Sequence, residues 1–278
     1  MSTLLLQGCL SRTRVVPQDQ RLLPAQTMTR AELLQKLDAH SKSVDKMTAT
    51  VTLDASGGAL KTGVLTEYRQ TRGIILAERP SHIRLRVQAP LALATIFDMV
   101  SDGLEYRVSI PIENKFVVGD VNAPPASDKL LANLRPNHLM QGLFVNTTPY
   151  MTNAQVRAVL EEATQGQRSY YVIHFVNTAV DDAQLLEKIW VDRTNLEIVR
   201  KQIFRNDGKI ETDVDYSLHQ MVGDTSFPMV VSIQRPIEDY GLKITFDPQK
   251  TALNASLAAD AFQLDRPSGA ELVQLNTR

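Results

Sequence analysis

One cysteine, one tryptophan and no charge of either sign in excess mark this 278-residue chain. With Cys9 alone, no intramolecular disulfide can staple the core in any compartment. Thirty basic against thirty-one acidic residues leave no polycationic surface, so nucleic acid is not expected as a partner. No apolar run approaches the roughly 20 residues that a membrane-spanning helix needs. Five scattered histidines (His40, His82, His138, His174, His219) show no zinc spacing, so no metal site is expected. Nucleophile elbows, glycine-rich phosphate loops and dinucleotide fingerprints are missing too, so neither a cofactor nor an enzyme is expected. Asp181-Asp182 reads as a solvated loop pair, Glu161-Glu162 as the polar face of a helix, and His174 as a hydrogen-bonded core histidine.

Composition is otherwise that of a folded domain, 43% hydrophobic and 22% charged. Cys9 follows Leu4-Leu5-Leu6-Gln7-Gly8. A small residue before a cysteine behind an apolar run looks like the lipobox of a bacterial lipoprotein. The resemblance implies a thioether-linked lipid on Cys9, with residues 1–8 the remnant of a signal peptide cut short by a start placed too far downstream. The plain alternative is an incidental cysteine. Residues 9–27, carrying Arg12, Arg14, Pro17, Asp19, Arg21 and Pro24 with little apolar periodicity, read as a flexible tether. Its stretch from Ser11 to Thr27 could extend roughly 50 Å.

Folding begins at Thr29, an N-cap paired with Glu32 three residues on, followed by Leu33, Leu34 and Leu37 at helical spacing. Strands come next. Lys46–Asp54 and His82–Gln88 alternate at period two, and Thr62–Gln70, Gly73–Arg79, Leu93–Val100, Leu104–Ile110 and Lys115–Val118 complete a meander. Asn122-Ala123-Pro124-Pro125 ends it. Two short helices are expected in residues 122–168: one over Asp128–Met140, interrupted by Pro136, and one over Asn153–Glu162 with Val156, Val159 and Leu160 on its apolar side. Strands resume over Ser169–Asn177, Leu185–Arg193, Glu197–Arg205, Lys209–Met221, Met229–Arg235 and Leu242–Asp247, with hairpin turns at Asp192 to Asn195 and Asn206-Asp207-Gly208. The fold class is therefore mostly β with helices (α+β), one domain over residues 28–270 and a tail over 271–278.

Gly73-Ile74-Ile75-Leu76 leading into Arg79-Pro80-Ser81-His82-Ile83-Arg84-Leu85, the turn Ser101-Asp102-Gly103 and the closing Ala261-Phe262-Gln263-Leu264-Asp265-Arg266-Pro267 resemble the bacterial lipoprotein-localisation (LolA/LolB-like) superfamily. With Cys9, the outer-membrane-anchored LolB-like type is the nearer match. The resemblance implies a curled antiparallel sheet, an incomplete β-barrel lidded by the N-terminal helix and the inserted helices. It implies a hydrophobic cavity for acyl chains, with Val51, Leu53, Ile83, Leu85, Val87, Phe97, Met99, Tyr106, Trp190, Val231, Ile233 and Ile244 facing inward, and Ile203 or Phe204 beside them. These side chains suit a filled core equally well.

Gln88-Ala89-Pro90-Leu91-Ala92-Leu93 is expected as a loop whose Leu91 and Leu93 insert into a membrane, or else tuck into the barrel. The partners implied are the acyl chains of a lipoprotein or glycolipid, the membrane reached through Cys9, and a periplasmic donor protein. The function implied is a lipid-anchored, periplasm-facing carrier or receptor at the outer membrane; a ligand sensor or a structural envelope lipoprotein are the alternatives.

Overall fold

The computed structural model describes residues 22–58, 63, 65–89, 94–122, 134–179 and 182–275. Thr29 caps helix α1 (Arg30–Ser43) as its spacing predicts: its hydroxyl accepts from the Glu32 amide, and the Glu32 carboxylate accepts from the Thr29 amide. Leu33 and Leu37 are the buried stripe. Fourteen strands follow in one sheet: β1 (Lys46–Gly57), β2 (Thr66–Glu78), β3 (His82–Gln88), β4 (Thr95–Ser101), β5 (Glu105–Ile110), β6 (Lys115–Asp120), β7 (Val156–Gln165), β8 (Arg168–Asn177), β9 (Gln184–Asp192), β10 (Ile198–Phe204), β11 (Ile210–Val222), β12 (Thr225–Arg235), β13 (Tyr240–Leu253) and β14 (Glu271–Leu275). Helices α2 (Pro136–Leu143) and α3 (Thr148–Thr152) lie between β6 and β7.

The strand order is β14-β6-β5-β4-β3-β2-β1-β13-β12-β11-β10-β9-β8-β7. Both halves of the chain thus join in a single open sheet, with β1 and β13 at the seam. Every neighbouring pair is antiparallel except β14 on β6, which is parallel. The edges β7 and β14 do not meet.

Four expectations differ from the structure. Residues 153–162 are not a helix. Val156, Val159 and Leu160 fit helical spacing, but β7 is a half-exposed edge strand with only weak alternation, and Glu161 and Glu162 reach His174 and Arg193 across the sheet surface. Pro136 opens α2 at its first turn, where a missing N–H costs nothing, and does not interrupt it; residues 123–133 lie outside the described residues. The two strands expected over 62–79 are one, β2. Residues 271–275, expected as tail, form β14.

On the outer face, β3 and β4 are covered by the segment after β13: Arg84 donates to the Ala261 carbonyl, and His82 packs on Phe262 at 5.4 Å between ring centroids. Beneath it Asp98, 5% exposed, accepts from Arg84 at 2.9 Å and Arg86 at 3.0 Å. Two guanidinium groups share one carboxylate here; removing it leaves the half-buried Arg84 with only the Ala261 carbonyl, while Arg86, 38% exposed, still meets water. Asp98→Ala is expected to cost about 3 kcal/mol in urea unfolding. A loss under 0.5 kcal/mol, the size of an exposed pair, would show the cluster to be surface-like.

Candidate functional site

Cross-strand pairing puts the inward residues on one face. Val51 lies opposite Phe246 and Leu53 opposite Ile244. Val231 lies opposite Ile244 and Ile233 opposite Leu242. Leu85 faces Met99 and Val87 faces Phe97. Ile83, Tyr106 and these residues are all buried in one cluster. Gly73 sits between them because a Cβ there would come within 3.0 Å of Leu53 and 3.1 Å of Val51. Trp190 does not join them. On β9 the inward positions are Glu187, Ile189 and Val191, and Trp190 lies on the opposite face against Tyr170, at 5.9 Å. Ile203 and Phe204 are half-buried, and the buried inward residues of β10 are Ile198 and Lys201. Cys9, Leu91 and Leu93 lie outside the described residues.

The concave face is not bare. Helix α2 lies against it, touching β4, β11 and β12, with Leu139 and Leu143 buried. Approach is so close that a Cβ on Gly142 would meet Ile233 Cδ1 at 2.2 Å. The core is completed by this helix, which the strands hold through the buried Leu139 and Leu143 and through a set of polar contacts. Lys201 Nζ donates to the carbonyls of Gln141 and Phe144, at the C-terminal end of α2 where the last carbonyls lack helical partners. Tyr216 donates to the Gly142 carbonyl at 3.0 Å. At the other end of α2, His138 bonds the Tyr240 hydroxyl. Arg235, 2% exposed, donates to Glu238, Glu211, Thr212 and the Gln141 side chain.

Helix α3 is pinned likewise. Tyr150 stacks on Phe175 at 4.7 Å and donates to Glu187 at 3.1 Å. The second oxygen of Glu187 is buried with no hydrogen-bond partner. Burial pushes the Glu187 carboxyl up to about 7, against the pull of Lys201 and Tyr150. Burial likewise lowers the Lys201 ammonium, with Glu187 opposing it. His138 is driven down to about 3 by burial and by the nearby Arg235 and Arg135, so it is neutral at physiological pH.

This polar set was not singled out from sequence. Lys201, Glu187 and Arg235 occupy inward strand positions where apolar residues are the default. Parity within β9 and β12 marks the last two as inward and is the one signal that flags them. Among the described residues no group of acidic, histidine or cysteine side chains could hold a metal ion, and no helix is long and apolar enough to cross a membrane.

The two ends of the barrel differ. Leu23 and Gln26 bond the backbone of Gln167 and Arg193, in the β7–β8 and β9–β10 turns, so the chain enters at that end. Helix α1 closes the same end, its C-terminus held through the Ser41 carbonyl by Arg79. Ala89 and Ala94, which close the β3–β4 loop by a 2.8 Å backbone bond, lie at the opposite end, as does Ile112, 84% exposed in the β5–β6 turn.

No family model matches the chain, and no curated protein matches it in sequence. Solved structures do match in three dimensions. A LolA superfamily protein from Nitrosomonas europaea aligns over 86% of this chain and 99% of its own, with a TM-score of 0.51 and 11% identity. A DUF1329 family protein from Desulfovibrio piger covers 84% and 95%, at 0.53 and 11%. A protein domain from Vibrio parahaemolyticus assigned to outer membrane lipoprotein sorting covers 83% and 94%, at 0.52 and 9%. At such identities the likeness is one of fold alone: the open fourteen-stranded sheet with its helices is similar in fold to these three proteins.

Proposed function

We propose that this protein is a non-enzymatic carrier or receptor for the acyl chains of a lipoprotein or glycolipid, acting in the bacterial cell envelope. The observation that carries the reading is the concave face itself. One continuous sheet lines it with Val51, Leu53, Leu85, Phe97, Val231, Ile233 and Ile244, and a short helix covers it where a sandwich would have a second sheet. A single short helix of eight residues can exchange with acyl chains; a hydrogen-bonded second sheet cannot. Each methylene that replaced water on this face would contribute about 0.8 kcal/mol. The names of the structural neighbours, LolA superfamily and outer membrane lipoprotein sorting, support the same direction.

Lipid anchoring through Cys9 belongs to this proposal, with transfer of the cargo to the outer membrane. Twelve residues lie between Cys9 and Leu22, a span of up to about 45 Å. The twelve residues of β1 rise about 40 Å. The tether is therefore just long enough for either end of the barrel to face the bilayer, including the one that carries the β3–β4 loop. A second reading, an envelope protein that works through protein contacts, is favoured by one observation: α2 already fills the concavity.

Native mass spectrometry of the full chain, before and after incubation with a diacylated lipopeptide, separates the two. Lipid adducts that vanish on denaturation, and that Ile233→Asp abolishes, are the expected result. A protein that stays free of adduct with lipopeptide, phospholipid and glycolipid alike would leave the second reading standing.

A further inference from the structure

Helix α1 meets the sheet through a pair of histidines. A groove of about 350 Å³ runs between α1 and the ends of β9 to β12, and a small void of about 30 Å³ lies beside it. His40 from α1 and His219 from β11 line both. The floor is apolar, with Leu33, Leu37, Val191, Leu196 and Ile198. The charged and titratable groups around it are Lys36 from α1, Glu197 from the segment before β10, Tyr216 from β11 and Asp224 from the β11–β12 turn.

The backbone is bent to bring His219 there. Alternation along β11 buries Thr212, Val214 and Tyr216, so Leu218 is next in turn for the interior. Leu218 instead holds φ at +55°, a left-handed conformation rare for a branched residue, and its side chain is 68% exposed. The register with β12 is unbroken on either side, Ser217 opposite Val230 and His219 opposite Pro228. What changes is direction: the His219 side chain is only 8% exposed and turns to the groove, its Nδ1 3.1 Å from Glu197. Glu197 is itself fixed by Ser226 at 3.0 Å and Asn195 at 2.8 Å. Among the described residues, His40 forms no ion pair.

We propose that His40 and His219 form an acid-released latch: protonation of the two imidazoles drives α1 off the end of the barrel that it closes. Two cations would then face each other in a half-buried groove with Lys36 adjacent, and Glu197 can neutralise only one of them. The latch does not depend on what the concave face binds.

The direction follows from the environment of each ring. Burial first, then repulsion from His219 and Lys36, hold His40 down to about 4. His219 is lowered by burial, against Glu197 and the Ile198 backbone, which pull it up. Once α1 is released, the His40 ring returns to about 6.5 in water, and His219 loses the burial that lowers it while keeping Glu197. Docking is therefore strongest above that value and weakens as pH falls towards 4. At pH 4.5 His40 alone favours release by roughly 50-fold over neutral pH.

Hydrogen exchange of the full chain at pH 7 and pH 4.5, corrected for intrinsic rates, tests this. Peptides from residues 30–43 are expected to lose protection on the order of tens of fold in the wild type, while those from β1 and β13 keep theirs. His40→Gln/His219→Gln is expected to hold α1 equally at both pH values. Wild-type α1 protection that is unchanged by acid, or that falls equally in the double variant, overturns the latch. Should the double variant not fold, the imidazole proton resonances of the wild type decide: His40 titrating below about 5.5 supports the proposal, and His40 titrating above that ends it.

Discussion

Lys201→Met is expected to lower the unfolding free energy by about 3 kcal/mol, one of the largest single-residue losses in this protein. Two effects compete. Burying an ammonium is costly, and an apolar side chain of similar length would remove that cost. Against it stand the carbonyls of Gln141 and Phe144, which lose a charged donor at a buried helix end, and Glu187, whose second oxygen already lacks a partner. Each stranded group costs about 1–3 kcal/mol, so the loss outweighs the gain. Lys201→Met/Glu187→Leu, which removes the carboxylate as well, is expected to recover a good part of the stability. Chemical denaturation of the two variants checks both statements. A single variant as stable as the wild type would mean that water replaces the ammonium at the helix end.

Gly142→Val is expected to cost about 3 kcal/mol and to raise binding of a hydrophobic dye at the same time. Helix propensity alone argues the other way, since glycine is about 1 kcal/mol poorer than alanine inside a helix. Sterics decide. The first carbon of any side chain here falls 2.2 Å from Ile233 Cδ1 and 2.6 Å from its Cγ1, and Ile233 is itself buried in the core. Either Ile233 abandons its rotamer or α2 rises from the concave face, which also breaks the bond from Tyr216. Adding Ile233→Ala should restore at least about 1 kcal/mol, a coupling that a double-mutant cycle reads directly. If the two substitutions add without coupling, α2 does not press on β12 at Gly142.

Strands with one dry and one wet face were readable. β3 reads His82-Ile83-Arg84-Leu85-Arg86-Val87-Gln88, and its three apolar residues are its three buried ones. The capping box of α1 was equally plain. β7 was not, because an edge strand is wetted on both faces. Its few apolar residues fall at 156, 159 and 160 by the accident of exposure, not by helical packing. Trp190 is inward only by what the family resemblance implies, whereas alternation with Ile189 and Val191 places it outside.

The polar interior was hidden for a different reason. Lys201 is meaningful only next to carbonyls some 60 residues away in the chain, and nothing local to Arg200-Lys201-Gln202 announces them. The parallel β14 was lost similarly: five residues with a single half-buried face carry too little pattern to separate a strand from a tail.

The sheet begins at β14 and ends at β7, and these two strands never pair. A closed barrel has its girth fixed by strand number and stagger, and widening it means breaking backbone ladders. A split ring has no such constraint. It opens by a few degrees of extra twist shared among thirteen strand junctions, none of which need give up a hydrogen bond. The interior of this protein can therefore change volume while its framework stays intact, and the slit between β7 and β14 is where that change would first be felt.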